Sequence, residues 1–130
     1  IENPDQIFSE VHRVLKPGGI FIFKTPNKFH YMPIIAMITP HSFHRWINAK
    51  RGRDETDTFP TRYKCNSTKD INNATKNKFA KTEIQYYESR PEYLRISPFL
   101  YLFGIFYERT VNSFNFLKNL RILIISKQTK

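Results

Sequence analysis

Cysteine is almost absent from this sequence. Cys65 stands alone among 130 residues, which excludes an internal disulfide and fits a reducing compartment such as the cytoplasm. Glycine is scarce too, with four in the chain. The one adjacent pair, Gly18-Gly19, precedes an apolar run, whereas a cofactor-cradling loop needs the strand first and the glycines after it. No apolar run approaches the roughly 20 residues that span a bilayer; the longest, Pro98 to Tyr107, is far shorter. There is no initiator Met, and Ile1-Glu2-Asn3-Pro4 reads as the continuation of something earlier, so we expect a piece of a longer protein. Acidic residues are the minority, 11 against 21 basic ones, for a net charge of +10 and a pI near 9.9.

That charge would suit a polyanion or an anionic membrane surface if the whole protein carried it. An acidic remainder would cancel it. The densest cluster, Lys50-Arg51-Gly52-Arg53, is broken by Asp54 and Glu55 and reads as a solvated face more than as a nucleic-acid footprint. Asn66-Ser67-Thr68 and Asn73-Ala74-Thr75 match the glycosylation pattern, but nothing else in the chain indicates secretion. No internal repeat or low-complexity tract is present.

The chain does hold enough apolar material for one modest core: 40% hydrophobic residues, 15% aromatic, which excludes a disordered composition. Asn3-Pro4-Asp5 predicts a helix start. Ile7, Phe8, Val11, Val14 and Leu15 follow at helical spacing. Lys16-Pro17-Gly18-Gly19 stops that helix. Ile20 to Phe23 then has no polar alternate, which predicts a strand buried on both faces of an α/β sheet. Ser67-Thr68-Lys69-Asp70 predicts a capped helix running to about Phe79. Thr82 to Glu88 alternates, with Ile84 and Tyr86 on one face. Pro98 to Leu120 is helical in pattern and rich in aromatics. Arg121 to Ser126, "RILIIS", is again apolar on both faces. The simplest sheet puts "RILIIS" inside, beside "IFIF", with "TEIQYYE" at the margin and helices over the faces. Three strands are few for that pattern, and a further half is expected beside Ile20 to Phe23.

These residues resemble a known family. "FSEVHRVLKPGGIFIFKTPN" is similar to the fourth helix and fifth strand of class I S-adenosylmethionine-dependent methyltransferases of the type 11 kind. "FPTRYKCNSTKDINNATKNKF" resembles, loosely, the stretch that enters the next helix. The resemblance implies the second half of a Rossmann-like methyltransferase sheet: three strands, the last antiparallel between the other two, with flanking helices. Residues 1–130 would be the C-terminal portion of one domain, with 28–66 and 89–119 as substrate-side insertions. It implies methyl transfer to a small-molecule or lipid-like acceptor, with S-adenosylmethionine bound mainly by the N-terminal half. The cofactor-binding acidic residues and glycine turn of the family are not in this chain, so the piece alone should be inactive. The rival expectation is a basic, aromatic-rich RNA-binding module, or part of a tRNA methyltransferase.

Ligands in open α/β sheets sit beyond the carboxyl ends of the parallel strands. That nominates Thr25 and Asn27 as acceptor-binding residues, unless Thr25-Pro26-Asn27 is merely a turn. Tyr31 and His44 lie in the following insertion, and Arg62 and Tyr63 before the Ser67 helix, where an arginine would suit a carboxylate or phosphate or simply face solvent. Transfer to oxygen needs a base, and His30 and His41 are the candidates; a structural histidine is the plainer reading of each. His41 and His44, three apart and without a neighbouring carboxylate or thiol, are a poor metal pair, and no metal is expected. Cys65 reads as a packing residue. Residues 97–114 are apolar almost all round, which predicts burial or an interfacial helix at a membrane, with Arg90, Arg95, Arg109, Lys118 and Arg121 toward headgroups. The oligomeric state is not encoded in any feature of the sequence.

Overall fold

The structure is a computed structural model that describes residues 2–39 and 63–130. The first helix, α1 (Pro4–Val14), starts where predicted. Asn3 Oδ1 accepts from the Gln6 amide at 3.3 Å, and Pro4 takes a first-turn place that needs no donor. Phe8 is its buried residue and faces the sheet. The stop is the Lys16–Gly19 turn. Gly18 adopts φ +75°, a region glycine enters without a Cβ clash. A long-range cap completes the helix end. Lys130 Nζ donates to the carbonyls of His12 (2.5 Å) and Leu15 (2.8 Å), placing a cation at the negative end of the helix.

Three strands follow: β1 (Ile20–Pro26), β2 (Lys81–Tyr87) and β3 (Leu123–Thr129). They form an open sheet in the order β1-β3-β2, with β3 antiparallel to both neighbours. β1 and β2 therefore run parallel to each other and end at the same rim of the sheet. Thr129 lies across from Ile20 and Lys81, and Leu123 across from Pro26 and Tyr87. The predicted strand order is the observed one. The limits move: β1 runs on past Phe23 to Pro26, β2 sits one residue earlier than expected, and β3 starts at Leu123 and continues through Lys127-Gln128-Thr129. Its polar end is held because Gln128, fully buried, donates to Ser126 Oγ at 2.7 Å and accepts from Thr82 Oγ1 at 2.6 Å.

One face of the sheet carries the core. Phe8, Cys65, Ile71 and Ile124 are buried together, and Phe21, Phe23, Ile84, Tyr86 and Phe79 pack around them. The Phe8 ring meets Phe23 at 5.2 Å and Phe21 at 6.4 Å between centroids. The expectation that Ile20 to Phe23 is buried on both faces is corrected here. Phe21 and Phe23 point inward, but Ile20 and Ile22 are 54% and 60% exposed. α1 and the Ser67 helix lie on the same side, and the second face carries the Lys81–Glu83–Lys127 ion triad, Lys24, Gln85 and exposed apolar side chains such as Ile20 and Ile22.

The remaining helices frame the rim where β1 and β2 end. α2 spans Tyr31–Ile38. α3 (Thr68–Thr75) is capped by Ser67 Oγ, which accepts from the Asp70 amide at 3.2 Å. It stops four residues short of Phe79, because Asn77 takes φ +62°, a left-handed turn that asparagine tolerates. α4 (Pro98–Ser113) follows a 3-10 turn at Glu92–Leu94. The single helix expected from Pro98 to Leu120 breaks at extended Phe114 and resumes as a 3-10 segment, Asn115–Leu120. Asn112, Ser113 and Asn115 are weak helix formers at that point.

Candidate functional site

The site is built where β1 and β2 end and β3 begins. Asn27, just past β1, is fully buried. Its Nδ2 donates to the carbonyls of Asn119 (2.6 Å) and Arg121 (2.8 Å), and its Oδ1 accepts from the Phe29 amide at 3.1 Å. Every polar atom of that side chain is thus used to tie the turn after β1 to the segment entering β3. Thr25 is held similarly. Its Oγ1 accepts from Asn66 Nδ2 at 2.9 Å, and the same amide donates to the Pro26 carbonyl at 2.7 Å. Asn66 is buried and engaged, which removes it as a glycosylation acceptor in the folded chain.

His30 caps α2 and is 1% exposed. Its Nδ1 accepts from the Met32 amide at 3.2 Å. In the neutral ring the proton must then sit on Nε2. Nε2 makes no hydrogen bond and faces Glu88 Oε1 at 3.5 Å, both side chains being buried. Glu88 leaves β2 as Asn27 leaves β1, and its other oxygen accepts from the Ile122 amide at 2.9 Å. Tyr31 and Tyr107 close over the pair: the His30 ring lies 4.1 Å from Tyr31 and 5.6 Å from Tyr107. Burial, reinforced by the Glu88 charge, pushes both phenols up to about 12. The cluster is a buried histidine and carboxylate, side by side under two phenols that stay protonated.

Beside it lies a cleft of about 420 Å³ lined by Lys28, Phe29, Thr68, Tyr86, Lys118 and Asn119 among others. Lys69 and Asp70 border it as well. Lys28 pairs with Asp70 at 2.8 Å. Burial raises the Asp70 carboxyl, but hydrogen bonds from Lys28 and Ser67 outweigh it and hold the group below its ordinary value. Thr68 and Tyr86 share a hydrogen bond across the wall. Three amines against one carboxylate, with a half-exposed Phe29 ring, make a place for an anionic group attached to something flat or apolar.

Of the predicted site residues, the fold brings Thr25, Asn27, His30 and Tyr31 to one rim. Tyr63, at φ +46°, sits in the turn that leads to Asn66 and α3. His41, His44 and Arg62 lie outside the described residues. Sequence reasoning missed Glu88, Tyr107, Lys28, Lys69, Tyr86 and Lys118. Glu88 had a usable signal, a carboxylate at the exit of a strand on the ligand-binding rim. Tyr107 had none, buried as it is in an apolar helical pattern. Cys65 is a core residue, its thiol raised by burial and then by Asp70. No three side chains of a metal-binding kind gather among the described residues, and no described helix is long and apolar enough to cross a membrane. No protein-family model matches the chain, nor does any curated protein or solved structure.

Proposed function

We propose that this chain is the acceptor-side portion of an S-adenosylmethionine-dependent methyltransferase acting on a small-molecule or lipid-like acceptor that bears a negative charge. The observation that carries the reading is the sheet order, a reversed β3 between parallel β1 and β2, with the cleft at the rim where the parallel strands end. The exposed Ile20 and Ile22 at a free sheet margin support a further half packed there.

The described residues do not make a cradle for the cofactor. Gly18-Gly19 lie before β1, and Gly104 is packed inside α4 against Pro91. The chain's own groups have narrower roles. Lys28, Lys69 and Lys118 draw the anionic group of the acceptor, and Phe29 and Tyr86 give its body a ring to lie against. His30 and Glu88, packed beneath the rim with Nε2 and Oε1 3.5 Å apart, fix the turns that leave β1 and β2.

Isothermal titration tests the assignment. The 130-residue chain alone should show no saturable uptake of S-adenosylmethionine, and the longer gene product containing it should bind at micromolar levels. A longer product that ignores S-adenosylmethionine refutes the reading.

A further inference from the structure

α4 shows two opposite faces. Inward, Gly104 lies against Pro91 and Leu94, Val111 is buried, and Tyr107 packs on His30 and Tyr31. Outward, Phe99, Leu102, Phe103 and Phe106 recur at helical spacing and are 84%, 63%, 63% and 70% exposed. Four large apolar side chains on one stripe are more than a soluble surface ordinarily leaves in water. The ring pair Phe114–Phe116, 5.6 Å between centroids and also exposed, follows at the C-terminal end of the helix.

We propose that this stripe seats α4 in the surface of an anionic lipid bilayer, the helix lying in the plane of the membrane. The argument rests on charge and shape and does not depend on the methyl-transfer reading. Arg109 extends the stripe one turn beyond Phe106. It is exposed and has no acidic partner among the described residues. Of the other cations expected to face headgroups, Arg95 pairs with Glu92 at 3.0 Å, Arg121 donates to the Val111 carbonyl at 3.1 Å, Lys118 lines the cleft and Arg90 is exposed. Glu108, the acid of this helix, falls on a different face from the stripe. An exposed apolar row that ends in the exposed cation Arg109 suits a deformable, apolar, negatively charged partner.

Co-sedimentation of the purified chain with phosphatidylcholine vesicles, with and without phosphatidylglycerol, tests this. Anionic vesicles should bind it and neutral ones should bind it far less. Phe103→Ser with Phe106→Ser should weaken binding to anionic vesicles roughly 10-fold or more. Arg109→Gln should cost about fivefold on anionic vesicles and nothing on neutral ones. Circular dichroism checks that the serine variant is folded, and the charge variant decides the matter if it is not. Equal binding to both vesicle types, or unchanged binding by the variants, overturns the proposal. So does sedimentation velocity showing a dimer that the serine variant dissolves, which would assign the stripe to a second copy.

Discussion

Asn27 offers the sharpest test of how the rim is held. Replacing it by alanine removes two donated bonds, to Asn119 O and Arg121 O, and one accepted bond, from Phe29 N. At about 1 kcal/mol net for each bond lost, the substitution should cost about 3 kcal/mol. For a chain of this size that corresponds to a fall of roughly 9–15 °C in Tm, taking ~3–5 °C per kcal/mol. Asn27→Asp sharpens the test. It is nearly isosteric and keeps the acceptor for Phe29, but it turns a donor into an oxygen facing two carbonyl oxygens. It should therefore cost at least as much as alanine. Urea unfolding followed by circular dichroism reads both. An alanine variant within about 0.5 kcal/mol of the parent, inside the range of neutral surface changes, would refute the structural account and return Asn27 to the acceptor site.

Other expectations follow from the same geometry. Spectrophotometric titration of the folded chain should show two of its seven tyrosines, Tyr31 and Tyr107, ionising only near pH 12, and Glu88→Gln should bring both down. Glu83 is held at about 2, below its ordinary 4.5, by hydrogen bonds from Lys81 and then Lys127. A lowered carboxyl lends stability above its ordinary value and loses it as pH falls toward 2, so Glu83→Gln should flatten the acid limb of a plot of Tm against pH between about 4.5 and 2. In Gly104→Ala the new Cβ would meet Pro91 Cβ at 2.4 Å and Leu94 Cδ1 at 2.9 Å. Overpacking of about 1–3 kcal/mol, offset by up to about 1 kcal/mol of helix propensity, should leave a net loss near 1–2 kcal/mol in urea unfolding.

The strand order was legible because alternation and its absence report what each strand touches. "RILIIS" had no polar alternate and took the middle; "TEIQYYE" alternated and took a margin. The same logic misjudged "IFIF". An apolar side chain at an alternate position asks for cover, and in the described residues Ile20 and Ile22 have none. Helix starts were readable from Asn3 and Ser67, whose caps are local. Helix ends were less so, since Asn77 and Phe114 stop their helices through single backbone angles that composition barely marks. The rim was half legible. Asn27 and His30 stood out by position, but their partners arrive from far along the chain. Nothing near Asn27 announces the carbonyls of Asn119 and Arg121, and nothing near His30 announces Glu88.

The arrangement of the sheet also bears on how the molecule is made. β1 and β2 share no hydrogen bond; each is paired solely with β3, the last of the three to be synthesised. Partners such as Ile20 and Thr129 lie roughly a hundred residues apart, a separation that slows folding. The pairing seen here therefore forms only once Leu123–Thr129 has left the ribosome, and neither β1 nor β2 gains its observed partner before the end of synthesis.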